Sequence, residues 1–114
     1  MTAEEIQEKY HIPYKLLQEY HSWGMCNAVR IAMNDWQYTD KDLENLSMIM
    51  VLHDLEFEPE IVELYMRLFI QGEKTKNQRM RILNRQREKT LDEIHLKERQ
   101  LEKVDYLRHE IRSV

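Results

Sequence analysis

The apolar positions of this chain follow two regimes. Over the last 42 residues, Glu73–Val114, there is neither Gly nor Pro, and apolar residues recur at alternating spacings of three and four. Met80, Ile94 and Leu101 share a seven-residue series with Arg87 and Arg108. Leu83, Thr90, Val104 and Ile111 follow three places on, and Leu91 sits beside them. Sustained for about four heptads, this pattern predicts a coiled-coil seam on one helix of about 60 Å. Arg87, Lys97 and Arg108 interrupt it, so the seam is narrow. A lone helix of that length has little reason to persist in water unless its stripe is covered. The simplest cover is a second copy of the chain, a homodimer through residues 73–114. Its interface would be Met80, Leu83, Arg87, Leu91, Ile94, Leu101, Val104, Arg108 and Ile111. A solvated single helix, or one folded back on its own domain, is the alternative.

Ahead of the tail the pattern breaks into short amphipathic pieces. Thr2 with Glu5 forms a capping-box pair opening a helix from Ala3 to about Tyr10, with Ile6 and Tyr10 inward. Pro13 suits the first position of a second helix reaching about His21 and burying Leu16, Leu17 and Tyr20. Two short helices joined by so tight a turn read as a helix-turn-helix. Trp23-Gly24 stops the second helix. Residues 25–38 lack helical caps and carry Val29, Ile31, Trp36 and Tyr38, which predicts a two-stranded wing. Thr39 and Asp42 signal a new helix start, with Leu43, Leu46, Ile49 and Met50 on one face to about Asp54. Pro59 opens a further helix to about Ile70, with Ile61, Leu64, Tyr65 and Leu68 inward. The expected fold is mainly α: a winged helix-turn-helix domain over residues 1–71, then a long coiled-coil dimerisation helix over residues 72–114.

Charge divides at the same boundary. Residues 1–72 hold five Lys and Arg against 13 Asp and Glu, whereas residues 73–114 hold 12 against eight. An acidic front, net −8, is thus joined to a mildly basic helix, net +4. No stretch approaches the ~20 apolar residues that span a bilayer, and the acidic N-terminus lacks an apolar signal region, so no membrane partner is expected. The single cysteine, Cys26, excludes an intramolecular disulfide and fits a reducing cytoplasm.

The order of elements and three segments resemble the mercury-resistance-regulator (MerR) family of bacterial transcription regulators. These segments are Ile12-Pro13-Tyr14-Lys15-Leu16-Leu17-Gln18-Glu19-Tyr20 with Trp23-Gly24-Met25; Tyr38-Thr39-Asp40-Lys41-Asp42-Leu43-Glu44-Asn45-Leu46; and Leu52-His53-Asp54-Leu55-Glu56-Phe57-Glu58-Pro59-Glu60-Ile61. The resemblance covers roughly residues 2–70 and implies a dimer that binds double-stranded DNA, the second helix in a major groove and the wing beside it. It departs from the family at functional positions. Where the second helix usually reads Arg-Tyr-Tyr-Glu, this chain has Gln18, Glu19, Tyr20 and His21. Where the wing usually reads Gly-Tyr-Arg, it has Asn34, Asp35, Trp36 and Gln37.

Affinity for duplex DNA comes mainly from cations meeting phosphates. Lys15 and Arg30, with Gln18, Tyr20, Trp36, Gln37 and Tyr38 as neutral contacts, are the candidate DNA-binding residues. The dense cations between Lys74 and Lys89 are either a flank for DNA or ordinary solvated helix charges. Two function classes stay open: a dimeric DNA-binding regulator without a recognisable effector domain, and an interaction module that keeps the fold but no longer touches DNA or works only as a heterodimer. No enzyme chemistry is expected. The acids Asp40 and Asp42, and Glu56, Glu58 and Glu60, stand where helix starts favour them. The histidines His11, His21, His53, His95 and His109 show no ligand spacing with each other or with Cys26, so neither metal nor cofactor is expected. Met48, Met50 and Met66 read as adaptable core.

Overall fold

The computed structural model describes the backbone of residues 1–27, 29–32 and 35–113, and the side chains of residues 1–27 and 36–113. The chain divides into two units, Met1–Thr75 and Lys76–Val114.

In the first unit, α1 (Ala3–Tyr10) begins at a complete capping box. The Glu5 amide donates to the Thr2 hydroxyl at 3.3 Å, and the Thr2 amide donates back to the Glu5 carboxylate at 3.5 Å. Ile6 is the buried residue of this short helix. His11, in the left-handed region at φ 56°, turns the chain, and Ile12 plugs the core at 3% exposure. Tyr10, expected inward, is 44% exposed because the next apolar residue takes its place.

The second helix, α2 (Tyr14–Ser22), starts one residue later than expected. Pro13 is extended at ψ 143° and caps the helix from outside, its carbonyl accepting from the Leu16 amide at 3.0 Å. Leu16, Leu17 and Tyr20 are buried. Gly24 ends the helix at φ +73°, a left-handed position where a Cβ brings strain, and its amide donates to the His21 carbonyl.

Strands β1 (Val29–Ala32) and β2 (Asp35–Gln37) pair antiparallel, Val29 opposite Gln37 and Arg30 opposite Trp36, with an irregularity between Arg30 and Ala32. The wing's return strand is also tied to the start of the chain. Thr2 bridges to Gln37, the Tyr38 amide donates to the Met1 carbonyl at 2.7 Å, and the Met1 amino group donates to the Tyr38 carbonyl at 3.2 Å.

A second complete capping box, Thr39 with Asp42, opens α3 (Asp40–Asp54), which packs between α2 and α4 (Pro59–Phe69). Pro59 stands at the first turn of α4, where its missing N–H costs nothing. The inward face of α4 is rotated from the expected one: Val62, Tyr65 and Met66 are buried, Ile61 and Leu68 half-buried, and Leu64 is 46% exposed. Met66 fills the core as its flexible side chain suggested.

Glu73 does not begin the long helix. A 3-10 turn, Gly72–Thr75, intervenes, where the buried Thr75 hydroxyl donates to the Leu68 carbonyl at 2.6 Å.

The second unit is α5 (Lys76–Arg112), 37 residues with none buried. The large apolar residues of its seam stand in solvent: Met80 51%, Ile94 45%, Leu101 60%, Val104 52% and Ile111 78% exposed. Leu83 and Leu91 are half-buried, and Arg87 and Arg108 exposed.

Candidate nucleic-acid interface

The helix-turn-helix is anchored from beneath by one buried carboxylate. Asp42 has no exposed surface, and four donors converge on it. The Tyr20 hydroxyl donates to Oδ1 at 2.6 Å and the Asn27 amide to the same oxygen at 2.9 Å. Thr39 reaches Oδ2 at 3.0 Å with both its amide and its hydroxyl. The Asn45 side-chain amide donates in turn to the Tyr20 oxygen at 3.1 Å. Burial by itself raises a carboxyl, but these hydrogen bonds outweigh it and hold Asp42 below the ordinary value. Tyr20, enclosed at 0% exposure and bonded to a carboxylate, is pushed well above a normal phenol, burial being the larger cause.

This network locks α2, the segment leading into the wing and the start of α3 to one another. It also corrects one expectation: Tyr20 has no surface to offer DNA, because its hydroxyl is consumed inside. Tyr38, at 4% exposure, is likewise a support.

Above the network lies a cleft of about 540 Å³ between α2 and β2, with Tyr14, Gln18, His21, Trp36 and Tyr38 among its walls. His21 is the hinge of this junction. Its Nε2 shares a hydrogen bond of 2.5 Å with the Tyr38 hydroxyl, its ring lies 4.9 Å from that of Trp36, and the Cys26 sulfur stands 3.9 Å from Nε2. Burial lowers the imidazole's pKa, with Asp42 pulling the other way, so His21 is neutral at pH 7 and adds no cation here. Burial, helped by nearby Cys26 and Asp42, pushes Tyr38 up to about 12.

The sequence held no sign of this His21–Cys26–Tyr38 meeting, because the wing's return is what closes it. Among the described residues, no group of three or more His, Cys, Asp or Glu side chains is arranged to hold a metal ion.

The remaining expected contacts divide by exposure. Lys15 and Gln18, one turn apart on α2, are exposed, as are Tyr14 at 61% and Gln37 at the end of β2; Trp36 is half-buried. Arg30 lies in β1, but its side chain is outside the described residues. Glu19, the acid at a position where the resembled family has tyrosine, does not stand free on this face. It is half-buried against α3, its carboxylate 3.2 Å from His53 Nε2.

A two-helix unit whose second helix is propped from below and flanked by a β-ribbon defines a winged helix-turn-helix, a class that lays the second helix in a DNA groove. The sequence matches the MerR HTH family of regulatory proteins over residues 1–68, and the chain belongs to that family. At family level it is therefore a DNA-binding transcription regulator, and regulators of this kind are not enzymes. No curated protein and no solved structure matches the chain. Among the described residues no helix is long and apolar enough to cross a membrane.

Proposed function

We propose that this protein is a homodimeric, cytoplasmic transcription regulator of bacterial type that binds double-stranded DNA. Residues 1–71 form its DNA-reading domain and residues 72–114 its dimerisation helix. Lys15 and Gln18 of α2, with Gln37, Trp36 and Arg30 of the wing, meet the DNA. The nine seam residues from Met80 to Ile111 pair the subunits as a coiled coil. The observation that carries this reading is the exposed α2 face beside the wing in a chain of this family. The exposed apolar seam of α5 supports the dimer: such residues at heptad spacing are seldom left in water.

The test is retention of fragmented genomic DNA by the purified protein across a salt series, with bound fragments sequenced. An enriched, roughly palindromic site whose affinity falls with salt supports the proposal. No retention at ~50 mM salt, where phosphate contacts are strongest, refutes it. Lys15→Glu is expected to weaken binding about tenfold or more at low salt while leaving the far-UV circular dichroism unchanged, since Lys15 is exposed. Unchanged affinity removes α2 as the reading element.

The front's net charge of −8 favours a second reading, an interaction module in which Trp36 and the acidic surface engage a basic protein or a basic relative as heterodimer. Retention of a protein partner together with failure to bind DNA would select it.

A further inference from the structure

The cations that a DNA-binding front lacks are concentrated at the start of α5. Between Lys74 and Lys89 there are seven Lys and Arg and one acid, Glu88; between Thr90 and Val114 five stand against six acids. Within the dense segment Arg81, Arg85 and Lys89 are four residues apart. At 100° per residue they fall within a strip about 80° wide, centred about 160° from the seam series of Met80, Arg87 and Ile94. Pairing along the seam would therefore leave this row outward.

All three are exposed, and none has an ion pair among the described residues. Lys41, Arg67 and Arg108 find acids, whereas Lys15, Lys97, Arg99 and Lys103 stand without one among the described residues, as the row does; what sets the row apart is its density, with one acid, Glu88, among seven cations. Like charges at four-residue spacing also weaken a helix by themselves. The row thus costs the free chain stability and is relieved when a polyanion lies against it.

We infer that Arg81, Arg85 and Lys89 form a second, sequence-independent contact surface for the phosphate backbone of duplex DNA. Successive cations are about 6 Å apart and the row spans about 12 Å. Over that length a duplex presents about seven phosphates, at one charge per ~1.7 Å of axis. Arginine's planar fork suits phosphate oxygens. The surface reads no base, so it supplies affinity while α2 and the wing supply discrimination. This inference rests on the DNA-binding reading and says where its electrostatic part comes from.

The test compares full-length protein with the triple variant Arg81→Gln/Arg85→Gln/Lys89→Gln. A charge-matched control, Arg99→Gln/Lys103→Gln/Arg112→Gln, removes three cations from the mixed-charge end of the same helix. Binding to a labelled 30-base-pair duplex of unrelated sequence and to the selected site is measured from 50 to 200 mM salt. The triple variant is expected to lower the steepness of log K against log salt by about 2.7 per subunit, since each neutralised phosphate adds ~0.9 to that slope. Its affinity falls by the same factor on both duplexes, and the control variant keeps the wild-type slope.

A triple variant with the wild-type slope overturns the inference while leaving the regulator intact. A control variant that loses slope equally overturns it as well, since net charge alone is then responsible. If the triple variant instead shifts the sedimentation of the free protein with no change on DNA, the row faces the acidic front of a second copy and the inference fails. Wild-type protein that binds neither duplex at 50 mM fails the regulator reading itself, and this inference with it.

Discussion

Asp42→Ala is expected to lower the melting temperature of the N-terminal unit by about 8–24 °C. The carboxylate is fully enclosed and receives the Tyr20 hydroxyl, the Asn27 amide and both donors of Thr39. Removing it orphans the buried Tyr20 hydroxyl at about 1–3 kcal/mol, and it breaks the reciprocal half of the α3 capping box, in which the Thr39 amide donates to Asp42. A unit of this size is stable by only about 4–11 kcal/mol, so a loss of about 2–3 kcal/mol lowers its Tm by about 8–24 °C. Thermal unfolding followed by circular dichroism checks this. A Tm within about 3 °C of wild type would show that the network is ornamental.

Asp42→Asn keeps the shape and loses the charge, so it should fall between the two, and it yields a pH test. Asp42's native pKa lies below its unfolded one. Its contribution is complete above about pH 4, the usual carboxylate value, and is lost as pH falls through the depressed native value. The stability gap between wild type and Asp42→Asn is accordingly expected to be constant near neutrality and to close below about pH 4. A gap that widens on acidification would reverse the sign and refute the assignment.

Leu101→Glu is expected to convert dimers to monomers. Leu101 is 60% exposed in the single chain, so the change leaves the N-terminal unit undisturbed. In a paired seam it places a carboxylate from each subunit among apolar side chains. A penalty of about 3 kcal/mol weakens association about 100-fold. Sedimentation should then report 14.1 kDa in place of twice that mass. Tyr106→Glu is the companion measurement: Tyr106 is as exposed, at 62%, but lies off the seam, and the dimer should persist. A dimer that survives Leu101→Glu but not Tyr106→Glu would put the interface on the other face.

What was legible in the sequence was whatever neighbours along the chain decide. The two capping boxes, Thr2 with Glu5 and Thr39 with Asp42, lie three residues apart and placed the starts of α1 and α3. Gly24 marked the end of α2 for a local reason, its positive φ. Boundaries failed where two local readings compete. Pro13 suits either the first helical position or the residue outside it, and the tertiary contacts of Ile12 selected the latter. The face of α4 turned by about one residue for a similar cause. Its apolar residues cover more than half of the helix, opposite Glu60, Glu63 and Arg67, and packing against α3 chose Val62 and Met66 over Leu64.

The site was less legible, because its parts come together across 15 to 34 residues. Tyr20 looked like a DNA contact and is a buried strut; Asp42 is the helix-start acid it looked like and also the centre of the domain's polar core. Glu19 looked like a bare negative charge on the reading face and is held by His53 of α3. None of these pairings leaves a periodic trace, since each depends on how separate helices pack.

By itself the sequence determined the helical order, the ends that caps and glycines specify, the charge division and the narrow, interrupted apolar stripe of α5. These depend on interactions within a turn or two of helix, which the chain carries wherever it is placed. Only the tertiary structure decided which tyrosines are walls and which residues are surface, how the wing closes on His21 and the chain's first residues, and that Lys15 and Gln18 stand outward. Those outcomes follow from which groups lose water when α2, α3 and the wing meet. A buried carboxylate persists there because donors from Tyr20 and Asn27, distant in sequence, join the two of neighbouring Thr39 in replacing that water.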